Sequence, residues 1–174
     1  MKKIIVTSVL VLGSYFGFSQ SMNNSNLYFG TKNKVGGEVN FVTKKNLLFG
    51  VGLSASLEKG GVGETYSNIS FNEFPQDIYE TKTTDGISFY GTIGYRIKNL
   101  LIGSKLGMTT RMIYQNRYDR FKILGTNGYY NTSAVSENGV LYGGFVSYLV
   151  KGKFGPTLGY DNFNGVNVGI SFKF

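Results

Sequence analysis

Apolar and polar residues alternate along most of the chain after its first twenty residues. Between Ile87 and Ile97 the odd positions hold mainly isoleucine and aromatic residues, and the even positions hold mainly glycine and polar residues. This period of two is typical of β-strands whose two faces meet different surroundings. From Leu100 to Met112 the apolar positions become mainly even. The two segments are therefore predicted to be neighbouring strands of a hairpin.

The lengths of the predicted turns agree with this change of parity. A two-residue turn at Lys98-Asn99 should reverse the parity of the apolar face, and three-residue turns at 44–46 and 151–153 should preserve it. The apolar positions follow both rules. A further turn at 32–34 is favoured over one long strand, because an even number of strands brings both chain ends to one side. The pattern predicts eight antiparallel strands, over residues 25–32, 34–43, 46–58, 85–97, 100–116, 138–150, 153–161 and 165–174.

The predicted strands are joined by short and long connections. The two long connections cover residues 59–84 and 117–137, and the others are short. Outer-membrane barrels have short periplasmic turns and longer extracellular loops. With both chain ends in the periplasm, the two long connections are expected on the extracellular side.

The alternation alone leaves open which face points outward. A soluble, lipocalin-like barrel has its apolar face inside, and an outer-membrane barrel has it outside against lipid. The other face here is largely glycine, serine, threonine and asparagine, which suits the crowded interior of a small barrel better than a soluble exterior. We therefore predict an all-β, eight-stranded antiparallel transmembrane β-barrel with a filled interior. Aromatic residues expected to form girdles at the lipid interfaces are Tyr28, Phe29, Tyr95, Tyr114, Tyr142, Tyr148, Phe154, Tyr160, Phe172 and Phe174.

The few charged residues on the predicted interior face have both signs. Unpaired charges are costly in a dry interior, so a network among them is expected. Asp161 and Lys173 are expected at the wet rims. Pro156 lies inside a predicted strand, which indicates a bulge or a less regular strand. The residues predicted to form an interior charge cluster are Glu38, Arg96, Lys105 and Arg111.

Composition excludes several kinds of chemistry. The 174 residues include no cysteine and no histidine, so disulfides, a thiolate nucleophile and an imidazole base are excluded. No catalytic, cofactor-binding or metal-binding residues are predicted, and an enzymatic function is not expected. The net charge is +8, but many lysines lie in the short turns, which does not favour nucleic acid as a partner.

The two long connections are the expected place for any recognition. Residues 59–84 are rich in acids and aromatic residues, and residues 117–137 combine aromatic residues with arginine and lysine. Exposed aromatic residues on a rigid scaffold are typical of binding loops. The alternative is that the two connections pack on each other and cap the barrel.

The first segment has the features of a secretory signal peptide. Lys2 and Lys3 precede an apolar run from Ile4 to Leu12, and Gly17 and Ser19 are small residues placed for cleavage. We predict that residues 1–19 are removed and that residues 20–174 form the barrel. The "FSQ" ending resembles exported proteins of Bacteroidetes-type bacteria.

The last predicted strand carries the most specific signal. Its apolar face ends in an aromatic residue and consists of Val166, Val168, Ile170, Phe172 and Phe174. This strand resembles the last strand of bacterial outer-membrane β-barrel proteins, and the chain as a whole resembles a small OmpA/OmpX-type barrel. The resemblance implies a location in the outer membrane of a Gram-negative bacterium, with membrane lipid and the barrel-assembly machinery as partners. The export signal, the turn parity and this last strand together favour a structural or binding role that presents the two long connections. The alternatives are a narrow small-solute channel, suggested by Arg96, Lys105 and Arg111, and a soluble periplasmic lipocalin-like ligand-binding barrel.

Overall fold

The computed structural model describes residues 22–66 and 78–174. The predicted signal peptide and the cleavage site after Ser19 lie outside the described residues. Within the described part of the chain, no helix is long and apolar enough to cross a membrane. The strands described are β1 (Met22–Gly30), β2 (Lys34–Val42), β3 (Leu47–Ser56), β4 (Glu64–Tyr66), β5 (Ile78–Ile97), β6 (Leu100–Tyr118), β7 (Tyr129–Tyr148), β8 (Phe154–Asp161) and β9 (Gly165–Lys173).

Eight of these strands close into an antiparallel barrel. The order around the wall is β1-β2-β3-β5-β6-β7-β8-β9, and β9 pairs with β1 to complete the circle. The short strand β4 lies outside this circle and pairs in parallel with the start of β7. Closure gives every barrel strand a paired neighbour on each side, so no barrel strand is an edge strand. The predicted all-β, eight-stranded antiparallel barrel is confirmed.

The short turns lie where the alternation predicted them. Ile97 pairs with Leu100 across the two-residue turn, and Thr43 pairs with Leu47 through a backbone hydrogen bond of 2.8 Å. The chain also turns between β1 and β2, where Asn33 has a left-handed φ of 51° that asparagine tolerates better than most residues. The end of the barrel with the connections 43–46, 98–99 and 149–153 is called the turn end, and the opposite end the loop end.

Three neighbouring strands are about twice as long as the others. β5, β6 and β7 have 20, 19 and 20 residues, and they continue beyond the loop end. β5 begins at Ile78 and β7 at Tyr129, so parts of both predicted long connections are strand. We call this region, residues 78–85, 111–118 and 129–136 together with β4, the extension sheet.

Two β-bulges explain why the sequence pattern stopped where the extension sheet begins. The register between β5 and β6 shifts between Asp85 and Ser88, and the register between β6 and β7 shifts between Ile113 and Gln115. A bulge adds one residue to one strand, so the period of two loses its phase there. The predicted start at residue 85 lies at the bulge of β5, and the predicted start at residue 138 lies a few residues inside the bulge of β7, so both were placed short of the strand starts at Ile78 and Tyr129.

The outward face of the barrel is apolar and the inward face is polar or small. Leu27, Phe29, Phe89, Leu106 and Val168 are all more than half exposed. Polar residues alternate with them and point inward. The buried polar residues on these strands include Asn24, Asn26, Glu38, Asn40, Ser54, Ser88, Thr92, Lys105, Asn167 and Ser171.

Two details of the predicted outward face need correction. Tyr28 belongs to the interior and is 1% exposed, because it shares the even face of β1 with Asn24 and Asn26. Tyr114 lies in the extension sheet, beyond the barrel wall. The other predicted girdle residues lie on the outward face: Phe29, Tyr95, Tyr142, Tyr148, Phe154, Tyr160, Phe172 and Phe174.

Pro156 causes no bulge. Phe154, before the proline, pairs with Val150, and Thr157, after it, pairs with Ser147, so the register is the same on both sides. The backbone carbonyl of Phe154 accepts a hydrogen bond from the Val150 N–H at 2.6 Å. Backbone groups two positions apart in a strand point to the same neighbouring strand, so those of Pro156 also point toward β7. Pro156 therefore lies opposite Tyr148, and the β7–β8 ladder lacks the one hydrogen bond that an N–H at this position would donate.

An apolar cluster fills the interior at the turn end. Leu48, Leu101 and Leu149 are fully buried, and they pack with Val42 and Phe145. Each comes from a strand end beside a short turn. The cluster, called the turn-end seal, closes this end of the barrel interior.

Candidate functional site

A buried ion pair lies in the middle of the barrel interior. Lys105 Nζ is 3.2 Å from Glu38 Oε2, and the two side chains are 1% and 0% exposed. Glu38 also accepts hydrogen bonds from the side-chain amides of Asn26 and Asn40. Buried charges need a partner and further hydrogen bonds, and this carboxylate has both. The structure thus brings two members of the predicted charge cluster together.

Two tyrosines complete the surroundings of this ion pair. The hydroxyl groups of Tyr28 and Tyr90 are 2.7 Å apart, and Tyr90 donates to Glu38 Oε2 at 3.2 Å. The Lys105 ammonium lies 4.2 Å from the ring centroid of Tyr28 and 4.9 Å from that of Tyr90. Aromatic rings attract a cation most strongly where water is excluded. The group of Glu38, Lys105, Tyr28 and Tyr90 is called the interior network.

Glycines opposite the tyrosines make room for the interior network. A Cβ at Gly36 would overlap the ring of Tyr28, and one at Gly52 would overlap the ring of Tyr90. Both glycines face inward on the strands next to those tyrosines. The volume of these two interior aromatic rings therefore explains why the polar face has glycine at positions 36 and 52.

The other two predicted members of the charge cluster lie elsewhere. Arg96 is next to the turn at 98–99, and its Nε donates to the Lys98 carbonyl at 2.6 Å. Arg111 is 54% exposed at the loop end, with its Nε 3.5 Å from Asp85 Oδ1. The prediction of one cluster of four residues is therefore wrong in two of its members. Alternation gives the face of a residue but not its height along the barrel, and these arginines lie near opposite ends.

A second buried group closes the interior at the loop end. Lys34 is buried, forms an ion pair with Asp85, donates to the Phe163 carbonyl, and lies 3.8 Å from the centroid of the Phe163 ring. The alternation did not single out Lys34 or Asp85, because a turn and a bulge adjoin them. Sequence reasoning could have found Lys34, since it shares the even face of β2 with Glu38.

Asp161 is part of the same closure. It was expected at a wet rim, but it is fully buried. Its carboxylate accepts from the Asn164 backbone N–H at 2.6 Å and from the Asn167 side-chain amide at 3.2 Å. Asp161 is buried because the turn 162–164 folds back over its carboxylate. Lys173 is exposed at the turn end, as expected.

Two asparagines hold the chain before β4 against the extension sheet. Asn116 accepts from the Val62 N–H at 3.1 Å and donates to the Gly60 carbonyl at 3.3 Å. Asn131 donates to the carbonyls of Val62 and Glu64 at 3.1 and 3.2 Å. Both asparagines are buried. Through Asn131, parts of the two predicted long connections therefore pack against each other in the extension sheet. This is the packing half of the capping alternative.

The connection from β6 to β7 is an ordered loop at the far end of the extension sheet. The carboxylate of Asp119 accepts from the backbone N–H groups of Leu124, Phe121 and Ile123 at 2.9, 2.8 and 2.6 Å. These hydrogen bonds, that from Leu124 above all, lower the pKa of Asp119. Tyr66 of β4 accepts from the Gly125 N–H at 3.2 Å. Residues 119–128 are called the tip loop.

The tip loop presents apolar side chains to solvent. Phe121 and Ile123 are 82% and 80% exposed, and the exposed bases Arg120 and Lys122 stand beside them in the chain. Within the described residues, neither base belongs to an ion pair. The sequence indicated aromatic and basic residues in this connection but could not show which of them are exposed.

Three tyrosines form a cluster next to the tip loop. The ring centroid of Tyr129 is 4.9 Å from that of Tyr118 and 6.0 Å from that of Tyr79. Tyr79 and Tyr129 are each about half exposed. The cluster arises because the last pair of β6 and β7 places Tyr118 opposite Tyr129. It is called the tyrosine cluster.

The predicted C-terminal signal occupies β9 and the residue after it. Val166, Val168, Ile170, Phe172 and Phe174 all point outward and are substantially exposed. β9 pairs with both β8 and β1, so this strand closes the barrel.

Comparisons with known proteins give structural resemblance only. No family model matches the chain, and no curated protein matches it significantly. Among the solved structures that resemble it are small outer-membrane β-barrels. The attachment invasion locus protein Ail of Yersinia pestis is 9% identical, covering 88% of this chain and 95% of that chain with a TM-score of 0.49. The N-terminal barrel domain of Pseudomonas aeruginosa OprF is 10% identical, covering 88% and 96% with a TM-score of 0.45. Neisserial surface protein A is 10% identical, covering 88% and 96% with a TM-score of 0.40.

Proposed function

We propose that this protein is a barrel of the outer membrane of a Gram-negative bacterium, with a structural or binding role. The observation that carries the proposal is the band of apolar side chains around the outside of the closed barrel. Such a surface would cause aggregation in water, but it matches the hydrocarbon region of a membrane. It argues against the soluble lipocalin-like alternative, in which the apolar face lines the interior.

The proposed orientation places the turn end in the periplasm and the loop end outside the cell. Short periplasmic turns and longer extracellular connections are typical of such barrels. The turn end carries the exposed lysines Lys44, Lys45, Lys98, Lys151 and Lys153. The extension sheet then stands outside the membrane.

The proposed role is that of a scaffold for the extension sheet. The interior network and the turn-end seal fill the barrel, which argues against the narrow small-solute channel. Binding residues are commonly held on loops above a rigid scaffold, and the tip loop and tyrosine cluster have this position. We propose no catalytic role for either region.

The proposal includes two partners, outer-membrane lipid around the barrel and the assembly machinery that would read β9. Removing Phe174 shortens the outward apolar face of β9 without touching the interior. We expect slower or incomplete barrel assembly, measured as loss of the folded band on a gel run without boiling. A matched control is Lys173→Gln, which changes the neighbouring residue but keeps the aromatic terminus.

The location and orientation can be tested with single cysteines, since the chain has none of its own. One variant, Lys59→Cys, has its cysteine at the loop end, and the other, Lys153→Cys, has its cysteine at the turn end. A membrane-impermeant maleimide should label the first in intact cells and the second only after the outer membrane is permeabilised. Fractionation should give an outer-membrane band whose mobility changes on boiling. A soluble band that labels equally at both positions would contradict the proposal.

A further inference from the structure

The tip loop is ordered and also exposes apolar side chains. It is ordered, because three backbone N–H groups donate to Asp119. It also exposes Phe121 and Ile123 almost completely. An exposed apolar pair in a preorganised loop loses little conformational entropy on binding. The pair is therefore suited to burial against an apolar phase or partner.

The charges of the tip loop narrow the choice of partner. Arg120, Phe121, Lys122 and Ile123 alternate base and apolar residue along the chain. The one acid of the loop, Asp119, stays ionised, because hydrogen bonds from backbone N–H groups lower its pKa. With Arg120 and Lys122, the loop therefore carries a net charge of +1. The tip loop thus presents two bases beside two apolar side chains. This matches a surface with anionic groups above a hydrocarbon layer.

The tyrosine cluster supports the same partner. Tyr79, Tyr118 and Tyr129 lie together at the same end of the extension sheet as the tip loop. Tyrosine has an apolar ring and a polar hydroxyl, so it is enriched at the boundary between hydrocarbon and water. In the docked state these rings would lie at headgroup level while Phe121 and Ile123 enter the acyl region.

The position of the tip loop shows which membrane it can reach. Residues 111–118 of β6 carry it away from the barrel wall. At about 3.3 Å per residue and a tilt near 40°, eight residues raise the loop roughly 20 Å above the barrel rim. This segment pairs with β5 on one side and with β7 on the other, so a three-stranded sheet supports the loop. At this height the loop stands above the bilayer proposed to hold the barrel, which favours a partner that faces it from outside.

From these observations we propose that the tip loop docks into the anionic leaflet of a second, apposed phospholipid bilayer. Phe121 and Ile123 insert below the phosphates, and Arg120 and Lys122 contact them. The inference rests on the proposed function, because it requires the extension sheet to stand outside the barrel's own membrane.

The chain has no tryptophan, so Phe121→Trp introduces a single reporter. The full-length variant is placed in vesicles of phosphatidylcholine and mixed with separate vesicles containing brominated lipid. With 30% phosphatidylserine in the second vesicles, we expect a blue-shifted emission and quenching. Second vesicles of phosphatidylcholine alone should give at least about tenfold weaker binding. Quenching only when brominated lipid is in the barrel's own vesicle would overturn the proposal, because the loop would then fold back.

Substitutions test the two halves of the proposal by co-flotation of the two vesicle types. Phe121→Ser with Ile123→Ser should abolish co-flotation, and Arg120→Gln with Lys122→Gln should weaken it at least about tenfold. The matched controls are Leu57→Ser, which changes an exposed apolar residue outside the loop, and Lys59→Gln with Lys82→Gln, which removes two loop-end charges. Both controls should bind as the original chain does.

The remaining outcomes are also decisive. Binding that persists without Phe121 and Ile123, or that a soluble anionic polysaccharide abolishes equally in all variants, would mean simple anion attraction and overturn the proposal. No binding to any vesicle would also overturn it and would favour a protein partner. In each case the folded band on an unboiled gel and the maleimide labelling pattern are recorded on the same preparation. If the folded band and the labelling pattern are as expected but docking fails, the proposed function stands and this inference alone is wrong.

Discussion

At the scale of single residues, the ion pair of Glu38 and Lys105 depends on both of its partners. Each side chain is almost completely buried, so removing one partner leaves an uncompensated charge in the interior. Such losses are typically about 3–5 kcal/mol, whereas replacing both partners is far less costly. We expect Glu38→Gln and Lys105→Met to lower the free energy of unfolding by about that amount, and the double variant to recover most of it. Urea unfolding in lipid vesicles measures this. The exposed Lys173→Met serves as control, and equal stability of all variants would contradict the expectation.

The glycine at position 52 is a second case in which one residue decides the packing. A Cβ at this position overlaps the Tyr90 ring, and Tyr90 is held by hydrogen bonds to Tyr28 and Glu38. Overpacking of a filled interior typically costs about 1–3 kcal/mol. Gly52→Val should therefore reduce the fraction of chain in the folded gel band. Tyr90→Ala alone should also weaken folding, because Tyr90 donates to Glu38. Gly52→Val should therefore be compared in the original and the Tyr90→Ala chains: it should cost less in the second, where the space for the valine is free, and an equal cost in both would place the strain elsewhere.

Residue by residue, the sequence allowed the face of each strand position to be predicted but not its height in the barrel. Glu38 and Lys105 were predicted together because both lie on the polar face. Arg96 and Arg111 share that property, yet they lie at opposite ends. Height depends on the stagger between neighbouring strands, and alternation within one strand carries no information about stagger.

At the scale of elements, turn lengths determined the parity of neighbouring strands, and this made the barrel predictable. The prediction failed at the bulges of β5 and β7, where one extra residue breaks the period. The residues beyond the bulges were therefore assigned to long connections. These residues also make contacts with distant parts of the chain, which alternation cannot show. Asn116 and Asn131, for example, form hydrogen bonds with the backbone of Val62.

The tip loop is an element whose order should depend on pH. Hydrogen bonds to the ionised carboxylate lower the pKa of Asp119 in the folded loop, so the folded value lies below the unfolded value near 3.9. The stabilisation is then fully present above pH 3.9 and is lost as the pH falls through the folded-state pKa. NMR signals of the Phe121, Ile123 and Leu124 amides in detergent micelles should lose their dispersion in that acidic range. Asp119→Ala should show the low-pH spectrum of this loop at neutral pH, and an unchanged spectrum would mean that other contacts order it.

At the scale of the whole molecule, the barrel separates two tasks along its axis. The outward apolar face suits the wall to the membrane proposed for it, the interior network fills the wall, and the extension sheet carries the tip loop away from it. The same three long strands take part in both regions, so the barrel is a continuous support for the loop. A rigid support of this kind suits docking better than transport, because transport would need an open interior.

The filled interior leads to a prediction about conductance. Leu48, Leu101 and Leu149 seal the turn end, while Lys34, Asp85 and Phe163 close the loop end. Because small barrels leave room only for side chains, the purified protein in planar bilayers should show no stable conductance. Changing the three leucines to serine removes the apolar side chains of the seal and should allow water to enter from the turn end alone. Full passage should additionally require opening of the loop-end closure, as in Lys34→Ser, and loss of the interior network, which still fills the middle of the barrel. Stable conductance by the unaltered chain would instead favour the narrow channel, and conductance by the leucine variant alone would show that neither the interior network nor the loop-end closure excludes ions.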